Sequence, residues 1–371
     1  MIRRLTRQQA PADAVLAAAA PYLKEEEQQS VLVEALGLGI DGWPSLPQAY
    51  RCKLLKAILA AIPSNVEVDE RLLEFYLQPS PDESDGWSTS TYDISAALPP
   101  LHLSVFSGIG GGNETGGRVW PAALALGAYL LARHRGDALA TEHRRPRVAL
   151  ELGAGPGLPG LLLANVAASE EGTSIFGGGI ERVVLTDIVP TTLDNLWHNT
   201  TTLAPLTSRT LRCTVAALDW YQPPAQTAAA HADVDLILAA DCVYDPDIVE
   251  PLLATLGALL QPAPPPPPSS DSGQSSAAET GPLPPPRVPP IALVAVERRG
   301  AAWERFEMGL SAEVASGRML VAADRSDAAR CALREAGCPF YCAPDAIERI
   351  VLLELTGGPA LVGLGMSGGT A

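Results

Sequence analysis

The sequence predicts an α/β protein: a mostly parallel sheet with helices on both faces, preceded by a small helical region. Three observations carry this. Short apolar runs alternate with helix-period segments from about residue 120 onward. One run, 148–152, passes directly into a glycine turn, Gly153-Ala154-Gly155-Pro156-Gly157-Leu158-Pro159-Gly160. Between residues 13 and 78, apolar positions such as Leu54, Leu55, Ile58, Leu59 and Ile62 recur at three- and four-residue spacing.

In chain order, residues 1–80 form the helical region, divided by Pro44, Pro47 and Pro63 and closed by Pro79-Ser80-Pro81. Residues 81–114, rich in Ser, Asp, Pro and Gly, read as a linker with one strand near 101–106. The main domain, 115–371, opens with a helix over 121–133 and continues with strand 148–152 and a helix from Leu158. Strand 182–187 and a helix from Pro190 follow, then strands 215–218 and 235–240 and a helix over 248–260. Strand 291–296, a helix over 303–315 and late strands near 318–322 and 348–355 complete it. Two inserts interrupt the alternation, a glycine-rich one at 170–179 and a Pro/Ser tract at 262–290. The composition of the second cannot build a core, so a disordered surface loop is expected.

A net charge of -16 and a pI near 4.7 argue against a surface that grips phosphate backbones, so no direct nucleic-acid binding is expected. The six cysteines contain no C-x-x-C pair, which suggests neither a zinc knuckle nor a disulfide framework and fits a reducing compartment. No apolar stretch approaches the roughly 20 residues of a membrane span. The start, Met1-Ile2-Arg3-Arg4-Leu5-Thr6-Arg7, is basic like the beginning of a transit peptide, but Glu25-Glu26-Glu27 breaks that pattern. Cytoplasm is the expected location, and a monomer the expected state.

The glycine turn lets the backbone approach a ligand closely, and amides at the start of the following helix would be free to face it. Gly155, Gly157 and Gly160 also fit the G-x-G-x-x-G dinucleotide pattern. Two features point elsewhere: Pro156 and Pro159 lack the amides a pyrophosphate needs, and Glu151 would repel an anion. A cationic cofactor such as S-adenosylmethionine would meet no such repulsion.

Asp187 ends the second strand of the domain, where nucleotide-binding α/β folds place an acid on ribose hydroxyls; its alternative role is to cap the next helix. Leu193, Leu196 and Trp197 give that helix an apolar face, with Trp197 expected in the core. Asp219 and Trp220 close the third strand, where a carboxylate can accept the adenine amino proton while the indole covers the ring; a turn Asp and a packing Trp is the plainer reading. Ala240 ends the most apolar strand and is counted with the cofactor-binding positions. Beyond it, Asp241 and Tyr244 would face the same crevice as Gly153 and Asp187. Cys242, with no His or Lys nearby in sequence to form a thiolate, reads as packing.

Together Thr115-Gly116-Gly117-Arg118-Val119-Trp120, Glu151-Leu152-Gly153-Ala154-Gly155, Leu218-Asp219-Trp220 and Asp241-Cys242-Val243-Tyr244 resemble the seven-strand class I protein-lysine methyltransferases with a D-x-x-Y motif. Tyr50-Arg51-Cys52-Lys53-Leu54-Leu55-Lys56 and the helix they begin resemble the branch that methylates translation elongation factor 2. The resemblance covers most of residues 45–356. It implies S-adenosylmethionine as cofactor and elongation factor 2 as protein substrate. It also implies that Trp120 lines the cofactor site, Glu151 and Gly153 hold its methionine end, Asp187 the ribose and Trp220 the adenine. Asp241 and Tyr244 would form the lysine pocket, Asp241 holding the ammonium and Tyr244 a wall whose ring attracts it. No metal is required. The rival readings are a nicotinamide oxidoreductase on the same glycine turn and an inactive binding module of the same fold.

Overall fold

The computed structural model describes residues 1–37, 46–77, 86–96, 98–106, 114–135, 146–168, 180–203, 212–261 and 289–358. The glycine-rich insert and the Pro/Ser tract up to residue 288 lie outside the described residues.

Among the described residues, five α-helices precede the first strand: α1 (Ile2–Arg7), α2 (Ala12–Ala19), α3 (Glu26–Leu36), α4 (Gln48–Ala61) and α5 (Glu70–Leu77). Leu32, Leu36, Leu54, Leu55, Ile58 and Leu72 are buried against one another, so the helical spacing of α4 does close a core here. Gly37 ends α3 at φ +70°, the left-handed cap that a side chain disfavours. The basic start forms α1, with Ile2 and Leu5 buried. From α1 and the residue after it, Arg4 and Gln8 donate to the carbonyls of Cys338 and Pro339. The Gln8 carboxamide oxygen also accepts from the Tyr341 amide at 2.7 Å.

The segment expected to be a linker with one strand carries two: β1 (Trp87–Tyr92) pairs antiparallel with β2 (Leu101–Phe106). Ser and Thr fill four of the six positions of β1, which hid it from a search for apolar alternation. In β2, Leu101, Leu103 and Val105 alternate inward and join the main core.

The main sheet contains β3 (Val148–Leu152), β4 (Arg182–Asp187), β5 (Arg212–Ala217), β6 (Leu236–Ala240), β7 (Ile291–Glu297), β8 (Met319–Asp324) and β9 (Ile350–Gly357). Their order is β5-β4-β3-β6-β7-β9-β8. The first five are parallel, while β9 runs antiparallel to both β7 and β8. One face is covered by α6 (Pro121–Arg135), α7 (Leu158–Ala167), α12 (Ser326–Arg334) and α13 (Pro344–Arg349), the other by α10 (Pro246–Leu259) and α11 (Gly300–Ala315).

Two further helices, α8 (Pro190–His198) and α9 (Pro224–Ala230), complete the alternation. The short α9, α12 and α13 were not expected. In α8, Leu196 is buried, but Trp197 is 61% exposed, so the expected core placement of that indole is wrong. The two positions are adjacent, and only one can face the sheet. Strand order reverses around β3, between β4 and β6, and a crevice opens outside the carboxyl ends there.

Candidate active site

Glycine conformation shapes the floor of that crevice. Gly153 and Gly155 have φ of +56° and +54°, accessible to glycine at little cost. A Cβ on Gly153 would meet Cys242 Sγ at 3.0 Å and the Trp220 ring at 3.3 Å, so the indole lies directly against the turn. At Gly155 a Cβ would stand 3.2 Å from the Gly116 carbonyl.

Two of the first three residues of α7 offer no free amide. Pro159 has none, and the Gly160 amide donates to Glu151 Oε2 at 2.9 Å. This buried carboxyl already fills the acceptor role that a pyrophosphate plays at a helix N-terminus. Burial raises its pKa to about 8, with the Asp187 charge adding to the rise and the Gly160 bond opposing it.

Both carboxylate oxygens of Asp187 accept from backbone amides. Its Oδ1 accepts from the amides of Ile188, at 2.8 Å, and Val189, at 3.2 Å, ordering the approach to α8. Its Oδ2 accepts from the Gly155 amide at 3.2 Å and so ties β4 to the glycine turn. A support that sequence reasoning missed is Asn199, in the π-helical turn Asn199–Leu203 after α8. Fully buried, it donates to the Pro156 carbonyl at 3.0 Å and accepts from the Ser104 amide at 2.7 Å, bracing the turn against β2. An Asn in an otherwise ordinary helix gives no local signal of that role.

A cavity of about 460 Å³ lies over these residues. It falls within the roughly 300–1,000 Å³ of small-molecule sites. Trp120, Glu151, Gly153, Gly155, Asp187, Asp219, Trp220, Ala240, Asp241 and Tyr244 all line it. The structure therefore brings the positions named for the cofactor and the lysine to one cavity. Asp219 Oδ1 accepts from the Tyr221 amide at 2.9 Å, and the Trp120 indole donates to the Thr115 carbonyl at 2.9 Å. Cys242 is buried, its thiol 3.2 Å from the Leu152 carbonyl and pushed up in pKa by burial, as expected of a packing residue.

The residue that spacing could not reveal is Arg299, 58 positions from Asp241. Its Nη2 donates to Asp241 Oδ2 at 2.6 Å, and its guanidinium lies 5.2 Å from the centre of the Trp120 ring. Asp241 has φ +56°, uncommon outside glycine, and its amide donates to the Ala295 carbonyl of β7 at 2.9 Å. Burial pushes this carboxyl's pKa up, opposed by the charge and hydrogen bond of Arg299. Tyr244 stands at the mouth, 54% exposed, its phenol shifted up by partial burial and neighbouring acids.

The residues fit S-adenosylmethionine: carboxylates at Asp187 and Asp219 suit hydroxyl and amino donors, the glycines leave room for close approach, and no phosphate cradle is built. A five-strand parallel core with an antiparallel strand inserted before the edge is also not the classic dinucleotide order. Sheet and cavity together define a class I methyltransferase.

A family model described as lysine methyltransferase matches residues 103–265. The protein-lysine N-methyltransferase EFM3 of Chaetomium thermophilum is 27% identical over 267 residues, 64% of this chain and 72% of that protein. The family match and the likeness to EFM3 support a protein-lysine N-methyltransferase that uses S-adenosylmethionine as methyl donor.

Among solved structures, SMU.776, a methyltransferase complexed with SAH, aligns at TM-score 0.43 and 9% identity, covering 82% of this chain and 66% of that one. A SAM-dependent methyltransferase from Streptococcus mutans aligns at TM-score 0.40 and 8% identity, covering 83% and 66%.

Proposed function

We propose that this chain methylates a lysine side chain of translation elongation factor 2 in the cytoplasm, acting as a monomer. The observation that carries the lysine assignment is the convergence of Asp241 and Tyr244 on the cavity floored by the glycine turn. Support for the particular substrate is the resemblance of Tyr50 to Lys56, at the start of α4, to the elongation-factor branch.

In this reading Glu151, Gly153 and Gly155 hold the methionine end of the cofactor with Trp120 beside them, and Asp187 takes the ribose hydroxyls. Asp219 accepts from the adenine amino group, Trp220 covers its ring, and Ala240 completes the floor. Bound there, S-adenosylmethionine supplies an electrophilic methyl carbon. Asp241 and Tyr244 position the amine nitrogen so that its lone pair points along the line of displacement. A free lysine has a pKa of about 10.4, so the amine must give up a proton to water before its nitrogen can form the new bond.

Radiolabel transfer from S-adenosylmethionine tests the proposal, with purified unmethylated elongation factor 2 and whole-cell extract as parallel acceptors. Methyl-lysine in elongation factor 2 is expected. Labelling of another extract protein, with elongation factor 2 untouched, would overturn the substrate assignment and leave the lysine chemistry standing.

A further inference from the structure

Asp241, the carboxylate facing the lysine, is neutralised before any substrate arrives. Its side chain is 1% exposed and paired with Arg299, whose Nε also lies 3.7 Å from Glu297 Oε2. Glu297, 5% exposed, is held in turn by Arg349 at 2.7 Å. Two buried carboxylates thus face two guanidinium groups in one alternating chain, and Asp345 pairs with Arg349 at its outer end. Trp120 holds Arg299 over its ring, so the guanidinium has partners at both ends.

A lysine docking as ammonium would bring a further cation to a carboxylate already paired with a guanidinium. The other carboxyls lining the cavity accept hydrogen bonds from backbone amides. Glu151 is bonded to the Gly160 amide, Asp187 to three amides, Asp219 to that of Tyr221, and Asp245 to that of Asp247 at the start of α10. Arg118 adds one more cation to the lining, and the Tyr244 phenol is uncharged near neutrality.

We propose that Arg299 is a positioning residue of the lysine pocket: by keeping Asp241 paired, it makes that carboxylate a hydrogen-bond acceptor for the neutral amine rather than an ion-pair partner for the ammonium. This rests on the lysine-methyltransferase reading and changes the role expected of Asp241 from sequence. The cation lowers the pH at which the target amine sheds its proton, and the fixed carboxylate then orients the nitrogen.

The test compares wild type, Arg299→Gln and Arg299→Lys, using the protein that wild type labels in extract as acceptor. The readouts are kcat at saturating acceptor between about pH 6 and 10, S-adenosylmethionine affinity by calorimetry, and melting temperature. Arg299→Gln should move the rising limb of the pH profile upward by about one unit or more. Arg299→Lys should restore much of the original position. Cofactor affinity should hold in both folded variants, because Arg299 acts on the amine side.

A profile that drops in height without moving, or a lysine variant no better than the glutamine one, would overturn the proposal. So would loss of cofactor affinity in variants that melt like wild type. If hydrolysed product contains no methyl-lysine, the underlying reading fails as well; methyl-lysine with an unmoved limb removes the inference alone.

Discussion

At Glu151, a single carboxyl both closes the first turn of α7 and faces the cavity. Its folded pKa of about 8 lies above the ordinary 4.5, so the folded chain keeps a proton that the unfolded chain gives up. The stability this contributes is complete below the ordinary value and is lost as pH rises toward about 8. Chemical denaturation of the ligand-free protein should therefore show stability falling across that window by at most about 1.4 kcal/mol per pH unit. Glu151→Gln should flatten the dependence while keeping an oxygen for the Gly160 amide.

Asp187 gives a sharper expectation for binding. Asp187→Ala removes the proposed ribose contacts together with the three amide bonds that order the turn, each charged bond being worth roughly 1.5–3 kcal/mol. Calorimetry should show S-adenosylmethionine affinity weakened at least about tenfold. Unchanged affinity in a folded variant would remove Asp187 from the proposed site. Both acids were legible because each ends a strand next to a turn. Arg299 was not, since its partner is distant in sequence and only the sheet brings β6 and β7 side by side.

Among the elements, those with apolar runs bounded by Gly, Pro or Asp were readable within a few residues, as with β3, β4 and β6. The ones missed are polar or small-residue segments. β1 is mostly hydroxyl side chains, α9 is alanine-rich and brief, and α12 shows its buried Ala329, Ala332 and Leu333 only once β9 is in place. Their burial is set by partners rather than by local period.

The glycine turn is the element whose conformation leaves least room for change. Gly153→Ala would hold a side chain at φ +56° and press it on Cys242 and Trp220, costing about 1–3 kcal/mol in denaturation and lowering cofactor affinity. The Pro/Ser tract between α10 and β7 is expected to behave oppositely. Deleting Pro264 to Pro285, with a short linker retained, should leave melting and cofactor affinity as they were, because that composition cannot support packed structure. Loss of folding on deletion would show it to be an integrated element.

Across the whole molecule, the N-terminal helices are fastened to the methyltransferase fold by polar contacts as well as by their own core. Arg7 pairs with Asp93 at 2.8 Å, Gln9 donates to Ser88 at 2.8 Å, and Gln8 bonds both Pro339 and Tyr341. Gln8→Ala should lower stability by about 1–2 kcal/mol in urea denaturation. Removing residues 1–80 should impair methylation of the intact protein substrate and lower the melting temperature; unchanged values for both would mean the helices are only appended.

The same fastening has a consequence for synthesis. Gln8 emerges from the ribosome long before Tyr341, its partner 333 residues later. At roughly 5–20 residues per second, that interval lasts tens of seconds. Throughout it α1 lacks the backbone it is built to grip, and its buried Ile2 and Leu5 have only the other early helices to shelter against. In a growing chain, this seam is therefore among the last to close, and nascent-chain protease protection of α1 should lag behind that of α4.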